Sequence, residues 1–124
     1  MAEGLVLNEN RNLVRSELIY YLKVTDRQTG LELGRLGDIH AEGMLVFTPK
    51  PLITQTVYRL FLELPKNMAK EVGYTELPIQ AEALWSRPGP KPNNYHENGL
   101  RFLDQSSQAH RAIKQLTEIF AMPG

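Results

Sequence analysis

The chain has 124 residues, and its 14 Lys and Arg side chains are balanced by 14 Asp and Glu side chains. The balance holds in each half, because residues 1–62 and residues 63–124 each carry 7 basic and 7 acidic side chains. A broad surface of one charge, which would bind nucleic acids or anionic membranes non-specifically, is therefore excluded. The absence of cysteine excludes disulfides, thiolate nucleophiles and cysteine-ligated metal centres.

The length predicts one domain, and a hydrophobic content of 42% is sufficient for a core without disulfides. Residues 1–8 lack the basic segment of a secretory signal peptide. No apolar run approaches the roughly 18 residues that a membrane-spanning helix needs. We therefore expect a cytoplasmic protein without membrane insertion.

Residues 1–16 are polar and aperiodic, and we interpret them as an N-terminal arm before a domain that spans residues 17–124. Alternating apolar residues predict a first strand at 17–25, with Leu22 and Val24 on one face. A hairpin loop at 26–30 uses Gly30 for a left-handed backbone position. Strands follow at 31–36 and 44–48, and a glycine-bracketed turn at 37–43 separates them.

The alternation continues in the second half of the chain. A long strand at 54–64 ends at Pro65, and residues 66–75 are predicted to be a polar connection. The next strand spans 76–85, and its Pro78 indicates either an edge strand or a strand start. One face of this strand is expected to carry Leu77, Ile79, Ala81, Ala83 and Trp85. A proline-rich loop at 86–94 precedes the sixth strand, at 99–103.

The last segment changes its period, because apolar residues recur every three or four positions, as on one face of a helix. These residues are Ala109, Ala112, Ile113, Leu116, Ile119 and Phe120. Ser106 or Ser107 is a natural N-cap, and the helix is expected over 106–121. The elements predict a mainly β protein, a six-stranded antiparallel β-barrel with a C-terminal α-helix.

Few residues are arranged for catalysis or metal binding. The sequence has no glycine-rich phosphate loop and no nucleophile elbow. His40, His96 and His110 lie in separate segments without the spacing of helical zinc ligands. We expect no enzymatic activity, no metal and no cofactor, and we expect His110 on the helix surface beside the apolar stripe.

Two short constellations are candidates for ligand binding. The first is a pair of arginines in the arm, Arg11 and Arg15, and the second is the segment 38–43, Asp-Ile-His-Ala-Glu-Gly. Each alone is also compatible with solvated charges or with ordinary turn chemistry. Their order is more informative than either alone, because 23 positions separate Arg15 from Asp38.

Together they resemble the PilZ domain family, whose pattern is Arg-x-x-x-Arg in an arm and then (Asp/Asn)-x-Ser-x-x-Gly in a hairpin. The segments 18–24, 83–85 and 99–102 and the C-terminal helix are also similar, so the resemblance covers roughly residues 9–120. It implies a six-stranded barrel with a C-terminal helix. For many members it implies binding of the bacterial second messenger cyclic di-GMP and signalling to a partner domain or protein.

The resemblance implies a ligand site formed by Arg11, Arg15, Asp38, His40, Gly43 and Trp85. Guanidinium groups can bind phosphates or the guanine O6/N7 edge, and they can stack on purines. The carboxylate of Asp38 matches the N1–H and N2–H₂ donors of guanine. Gly43 lets the backbone turn tightly or approach the ligand. Trp85 either presents its ring to a base or belongs to the barrel core.

This chain departs from the family pattern at His40, where the family has Ser, and at Asn10, where many members have another Arg. An imidazole can bond the ligand, stack on it or block it. Two functions therefore stay open. One is a cyclic di-GMP receptor that signals to a partner protein, and the other is an adaptor that binds a protein and no nucleotide. Neither involves DNA or RNA.

Overall fold

The computed structural model describes residues 22–90 and 94–121, which form a closed β-barrel with two helices. The strands are β1 (Lys23–Asp26), β2 (Glu32–His40), β3 (Gly43–Thr48), β4 (Thr56–Glu63), β5 (Glu76–Pro88) and β6 (His96–Phe102). The helices are α1 (Lys66–Val72) and α2 (Ser107–Ala121). Antiparallel pairs close the barrel in the order β1-β2-β3-β6-β5-β4. The predicted six-stranded barrel with a C-terminal helix is confirmed.

The barrel interior is filled by apolar side chains that alternate along the strands. On β4 and β5 these are Leu60, Leu62, Leu77, Ile79, Ala81 and Ala83, each at most 1% exposed. Burial of one Leu or Ile side chain contributes about 1.5–3 kcal/mol. Pro78 precedes the part of β5 that pairs with β6, since that pairing begins at Ala81. Pro78 therefore pairs only with Phe61 of β4, and of the two interpretations the edge position fits the register.

Helix α2 packs its apolar stripe against the barrel, on β2 and β5. All six predicted stripe residues are buried, and His110 is exposed beside them. The hydroxyl oxygen of Ser106 accepts a hydrogen bond from the backbone N–H of Ala109 at 3.0 Å, so Ser106 is the N-cap. Helical periodicity thus correctly predicted which face of α2 the barrel covers.

The prediction of a polar connection at 66–75 is wrong, because Lys66–Val72 form helix α1. Met68 and Val72 lie four positions apart and are both buried on one face. Gly73 ends the helix with φ of 93°, and its N–H donates to the carbonyl of Ala69 at 2.8 Å. Two apolar positions are too few to establish a helical period in the sequence.

The prediction of a turn at 37–43 is also wrong in its extent. Strand β2 continues to His40, and only Ala41 and Glu42 lie between β2 and β3. The register of the two strands shifts beside Gly37, which marks a β-bulge. A Cβ atom at position 37 would lie 2.7 Å from the ring of Phe47. This glycine therefore permits close packing within a strand and does not begin a turn.

The hairpin between β5 and β6 is longer than predicted. Strand β5 extends to Pro88 and β6 begins at His96, whereas the sequence predicted a loop over 86–94 and a strand from 99. Arg87 pairs with Glu97 across the two strands, and this polar pair extends the ladder beyond the apolar residues. Leu22 and Val24 are buried as predicted, and the earlier part of the predicted first strand lies outside the described residues.

Candidate ligand-binding cleft

A cleft of about 980 Å³ lies on the outer face of β2, β3, β6 and β5. The beginning of α2 borders it through Ser107 and His110. Asp38, His40 and Trp85 also line this cleft.

The strand register aligns outward-facing positions of four strands into two neighbouring rows. One row consists of Asp38, Leu45, Gly99 and Trp85, and the other of His40, Gly43, Arg101 and Glu82. Because neighbouring strands lie about 4.8 Å apart, the Cα atoms of Asp38 and Trp85 are roughly 14 Å apart. The structure therefore brings four of the predicted site residues onto one surface, with Asp38 and Trp85 at the two ends of a row.

Asp38 is exposed on β2, and its carboxylate is only partly engaged within the protein. Its Oδ1 atom accepts a hydrogen bond from the backbone N–H of Ile39 at 2.9 Å. Among residues 22–90 and 94–121, no donor is within hydrogen-bonding distance of Oδ2. The contact to Ile39 fixes the carboxylate, and the second oxygen can accept hydrogen bonds from a ligand.

His40 is the last residue of β2 and its side chain stabilises the following turn. The Nδ1 atom accepts a hydrogen bond from the backbone N–H of Glu42 at 3.2 Å. With Nδ1 engaged as an acceptor, Nε2 is the ring nitrogen that can donate to a ligand. A serine at this position could accept the same hydrogen bond from the N–H of Glu42, because its hydroxyl oxygen is an acceptor close to the backbone. The imidazole thus has a local structural role in addition to lining the cleft.

Gly43 begins β3 and is required by the packing of the barrel itself. A Cβ atom at this position would lie 2.3 Å from the carbonyl oxygen of Leu100 on β6. Backbone atoms of a central strand cannot move aside as a flexible side chain can. The close backbone approach that the sequence suggested is therefore between two strands, and this glycine shapes the floor of the cleft.

Trp85 lies on the outer face of β5, and the prediction that it shares a face with Ala83 is wrong. The register of β5 and β6 shifts between these two residues, and this β-bulge places Leu84 and Trp85 both outward. Trp85 is 40% exposed and Leu84 is 47% exposed. The indole lies against Gly99, whose missing side chain leaves room for the ring. Of the two roles considered for Trp85, the structure excludes the core position.

The described lining of the cleft has no excess of positive charge. It contains the carboxylates of Asp38, Glu42 and Asp104 and the guanidinium groups of Arg87 and Arg101. Both arginines are paired, Arg87 with Glu97 at 2.8 Å and Arg101 with Glu82 at 2.7 Å. A ligand with two phosphates would therefore need further cations from outside this lining.

The predicted arm residues Arg11 and Arg15 lie outside the described residues, and their role stays a prediction. Sequence reasoning did not assign Arg87, Gly99 or His110 to the site, although all three line the cleft. A usable signal was the Trp-x-Arg spacing of 85 and 87, since residues two apart on a strand share a face. Within the described chain, no three His, Asp or Glu side chains cluster as metal ligands. Neither described helix has the length and apolar character to span a membrane.

The sequence matches the family model described as "PilZ domain" over residues 8–118. No curated protein matches it significantly. The barrel is similar to the PilZ domain of YcgR from Escherichia coli with c-di-GMP, with a TM-score of 0.59 and 15% identity over 92% of this chain and 91% of that chain. It is also similar to the inhibitor of motility MotI/DgrA from Bacillus subtilis, with a TM-score of 0.61 and 18% identity over 78% of this chain. This chain spans 44% of the length of the MotI chain.

Proposed function

This chain belongs to the PilZ domain family, and we propose that it is a cyclic di-GMP receptor that passes the signal to a partner protein. One observation carries the proposal. Asp38, His40, Gly43 and Trp85, which were identified from the sequence pattern, line one cleft in two adjacent rows of the barrel surface. The structural similarity to a PilZ domain with c-di-GMP supports the same ligand.

The distance between Asp38 and Trp85 across the cleft suits a ligand with two purines. Asp38 and Trp85 have Cα atoms roughly 14 Å apart across four strands, which is more than a single guanine can span. We place the Watson–Crick edge of one guanine on the free oxygen of Asp38, because only guanine presents the N1–H and N2–H₂ donors there. The other guanine packs against the part of the outward Trp85 indole that the Arg87 guanidinium leaves exposed.

The two phosphates of the ligand need positive charges that the N-terminal arm can supply. Because the carboxylates and guanidinium groups of the cleft leave no positive excess, we assign the two phosphates of the ligand to Arg11 and Arg15. These residues belong to the part of the chain that the family model matches. In this proposal the arm lies over the bound nucleotide and forms, with the barrel, a surface that the free protein lacks.

The partner would recognise that combined surface. Leu84 lines the cleft and is 47% exposed, and Val57, which pairs with Glu82 of β5, is 43% exposed. Exposed apolar groups of this kind are typical of protein-contact surfaces. By linkage, a partner that prefers the nucleotide-bound state must also tighten nucleotide binding by the same factor.

Calorimetric titration of the purified protein tests the proposal directly. We expect saturable heat with cyclic di-GMP and much weaker binding of cyclic di-AMP, whose adenines lack the donor pair that Asp38 accepts. The single tryptophan gives a second readout, since a base packed against Trp85 changes its fluorescence. Absence of both heat and a fluorescence change at high micromolar ligand would rule out the receptor function.

The second candidate is an adaptor that binds a protein and no nucleotide. It is favoured by His40, because an imidazole stands in the cleft where the family pattern has a serine. The variant His40→Ser distinguishes the two functions. Nucleotide binding that appears only in His40→Ser supports the adaptor, and binding by both proteins supports the receptor. His110→Ser is the matched control, since His110 lines the same cleft from helix α2.

A further inference from the structure

Arg87, Trp85 and Glu97 form a compact cluster at one end of the cleft. The central carbon of the Arg87 guanidinium lies 4.9 Å from the centre of the Trp85 ring, which is a cation–π contact. Its Nε atom donates to the carboxylate of Glu97 at 2.8 Å. Arg87 and Glu97 are direct partners in the register of β5 and β6, so the two strands hold this geometry.

The contact to Glu97 leaves most of the guanidinium available. The Arg87 side chain is 68% exposed, whereas that of Glu97 is 15% exposed. Within the described residues, the terminal Nη1 and Nη2 groups of Arg87 have no hydrogen-bond acceptor. An arginine that is fixed through Nε and stacked on a ring presents its remaining donors as a planar, pre-oriented fork.

Arg101, the other arginine of the cleft, does not keep both of its terminal nitrogens open. Arg101 binds Glu82 through a terminal nitrogen, Nη2, at 2.7 Å. Part of its outer fork is therefore occupied, while that of Arg87 is open. Because the bulge turns Trp85 outward, Arg87 two positions later faces outward on the same side of β5. Arg87 thus stands at the opposite end of the cleft from Asp38.

We propose that Arg87 is a third ligand-binding arginine, which reads the O6/N7 edge of a guanine that lies beside its guanidinium against Trp85, with Glu97 as its positioning residue. This inference rests on the proposed function. Guanine O6 and N7 are adjacent acceptors that match two parallel N–H donors of a guanidinium. Adenine has a donor in place of O6, so this contact selects guanine. The two ends of the cleft then read the two guanines independently, one through Asp38 and the other through Arg87.

The test compares Arg87→Ala and Arg87→Lys with the parent protein by calorimetry with cyclic di-GMP. We expect Arg87→Ala to bind about ten-fold more weakly or worse, because a charge-assisted hydrogen bond is lost. Arg87→Lys should be weakened as well, since an ammonium keeps the charge and lacks the planar fork. The matched control is Arg59→Ala, because Arg59 is exposed on β4 and does not line the cleft.

Glu97→Gln tests the positioning role, because the amide keeps the size of the side chain and loses the charge that holds Nε. We expect this variant to bind more weakly than the parent and more tightly than Arg87→Ala. Thermal unfolding of each variant verifies that the fold is retained. If the parent binds and Arg87→Ala binds like Arg59→Ala, the inference is overturned and the proposed function stands. If the parent itself does not bind, both are overturned.

Discussion

Gly99 and Trp85 face each other across β6 and β5 so closely that a Cβ atom at position 99 would lie 2.2 Å from the indole Nε1. The next nearest atoms to such a Cβ, at 2.3 and 2.7 Å, also belong to the indole. The position of the ring on the barrel surface therefore depends on a glycine in the neighbouring strand. This relationship links the shape of the cleft to a residue that cannot itself bind a base.

We predict that Gly99→Ala displaces the indole of Trp85. Overpacking of this kind costs about 1–3 kcal/mol of unfolding free energy, and the displaced ring should weaken cyclic di-GMP binding. The emission of the single tryptophan reports the displacement, and urea unfolding reports the stability. In a Trp85→Ala background the clash is absent, so Gly99→Ala should lower the unfolding free energy much less. An equal cost in both backgrounds would show that the indole is not the cause.

We predict that Arg11→Ala and Arg15→Ala each weaken cyclic di-GMP binding by about 1.5 kcal/mol or more, as for loss of a charge-assisted hydrogen bond. The physical reason is that the described lining of the cleft lacks a positive excess. Calorimetry measures the change. Arg111→Ala is the matched control, because Arg111 is exposed on α2 and does not line this cleft. Parent-like binding by both arm variants would show that the arm does not hold the phosphates.

Asp38→Asn should reduce the selectivity for guanine. The new amide can keep the acceptor for the N–H of Ile39, but its NH₂ group opposes the donors of guanine. We expect cyclic di-GMP binding to weaken by about 1.5 kcal/mol and the difference from cyclic di-AMP to narrow. Asp104→Asn is the control, since it removes another carboxylate of the same cleft. Tighter binding in Asp38→Asn would mean that the carboxylate only repels the phosphates.

Asn98→Ala tests the polar network inside the barrel. Asn98 is 0% exposed, its Oδ1 accepts from the N–H of Leu52 at 3.1 Å, and its Nδ2 donates to the carbonyl of Val46 at 2.9 Å. The variant leaves both groups without their partner, which should lower the unfolding free energy by about 2–4 kcal/mol. Urea unfolding measures this loss. Asn94→Ala, at an exposed position of the same hairpin, should change stability little.

Each sequence pattern predicted correctly those features that depend on neighbouring residues along the chain. Alternation correctly assigned Leu60, Leu62 and Leu77 to the interior, because a strand with one buried face must alternate. The same rule failed at Trp85, since one inserted residue in a β-bulge reverses the faces beyond it. A bulge arises from how two strands pair, so one strand alone does not reveal it.

The candidate site likewise combines features that residue order shows with features that depend on strand register. The order of Asp38, His40 and Gly43 was readable from the chain, and so was their resemblance to a known pattern. The pairing of Asp38 with Leu45, and of Gly99 with Trp85, joins residues from four strands and depends on register. Arg87 lies in the cleft because of that register and because of the bulge beside it.

The sequence alone specifies the barrel class, the apolar face of α2 and the family to which the arm and hairpin residues belong. These properties follow from local periodicity and from residue order, which a single chain displays directly. Tertiary structure decided that Asp38 and Trp85 stand at opposite ends of one cleft, that Gly43 and Gly99 create its floor, and that Arg87 is stacked and fixed there. The reason is that these relationships are contacts between strands distant in sequence, and closure of the barrel sets their register.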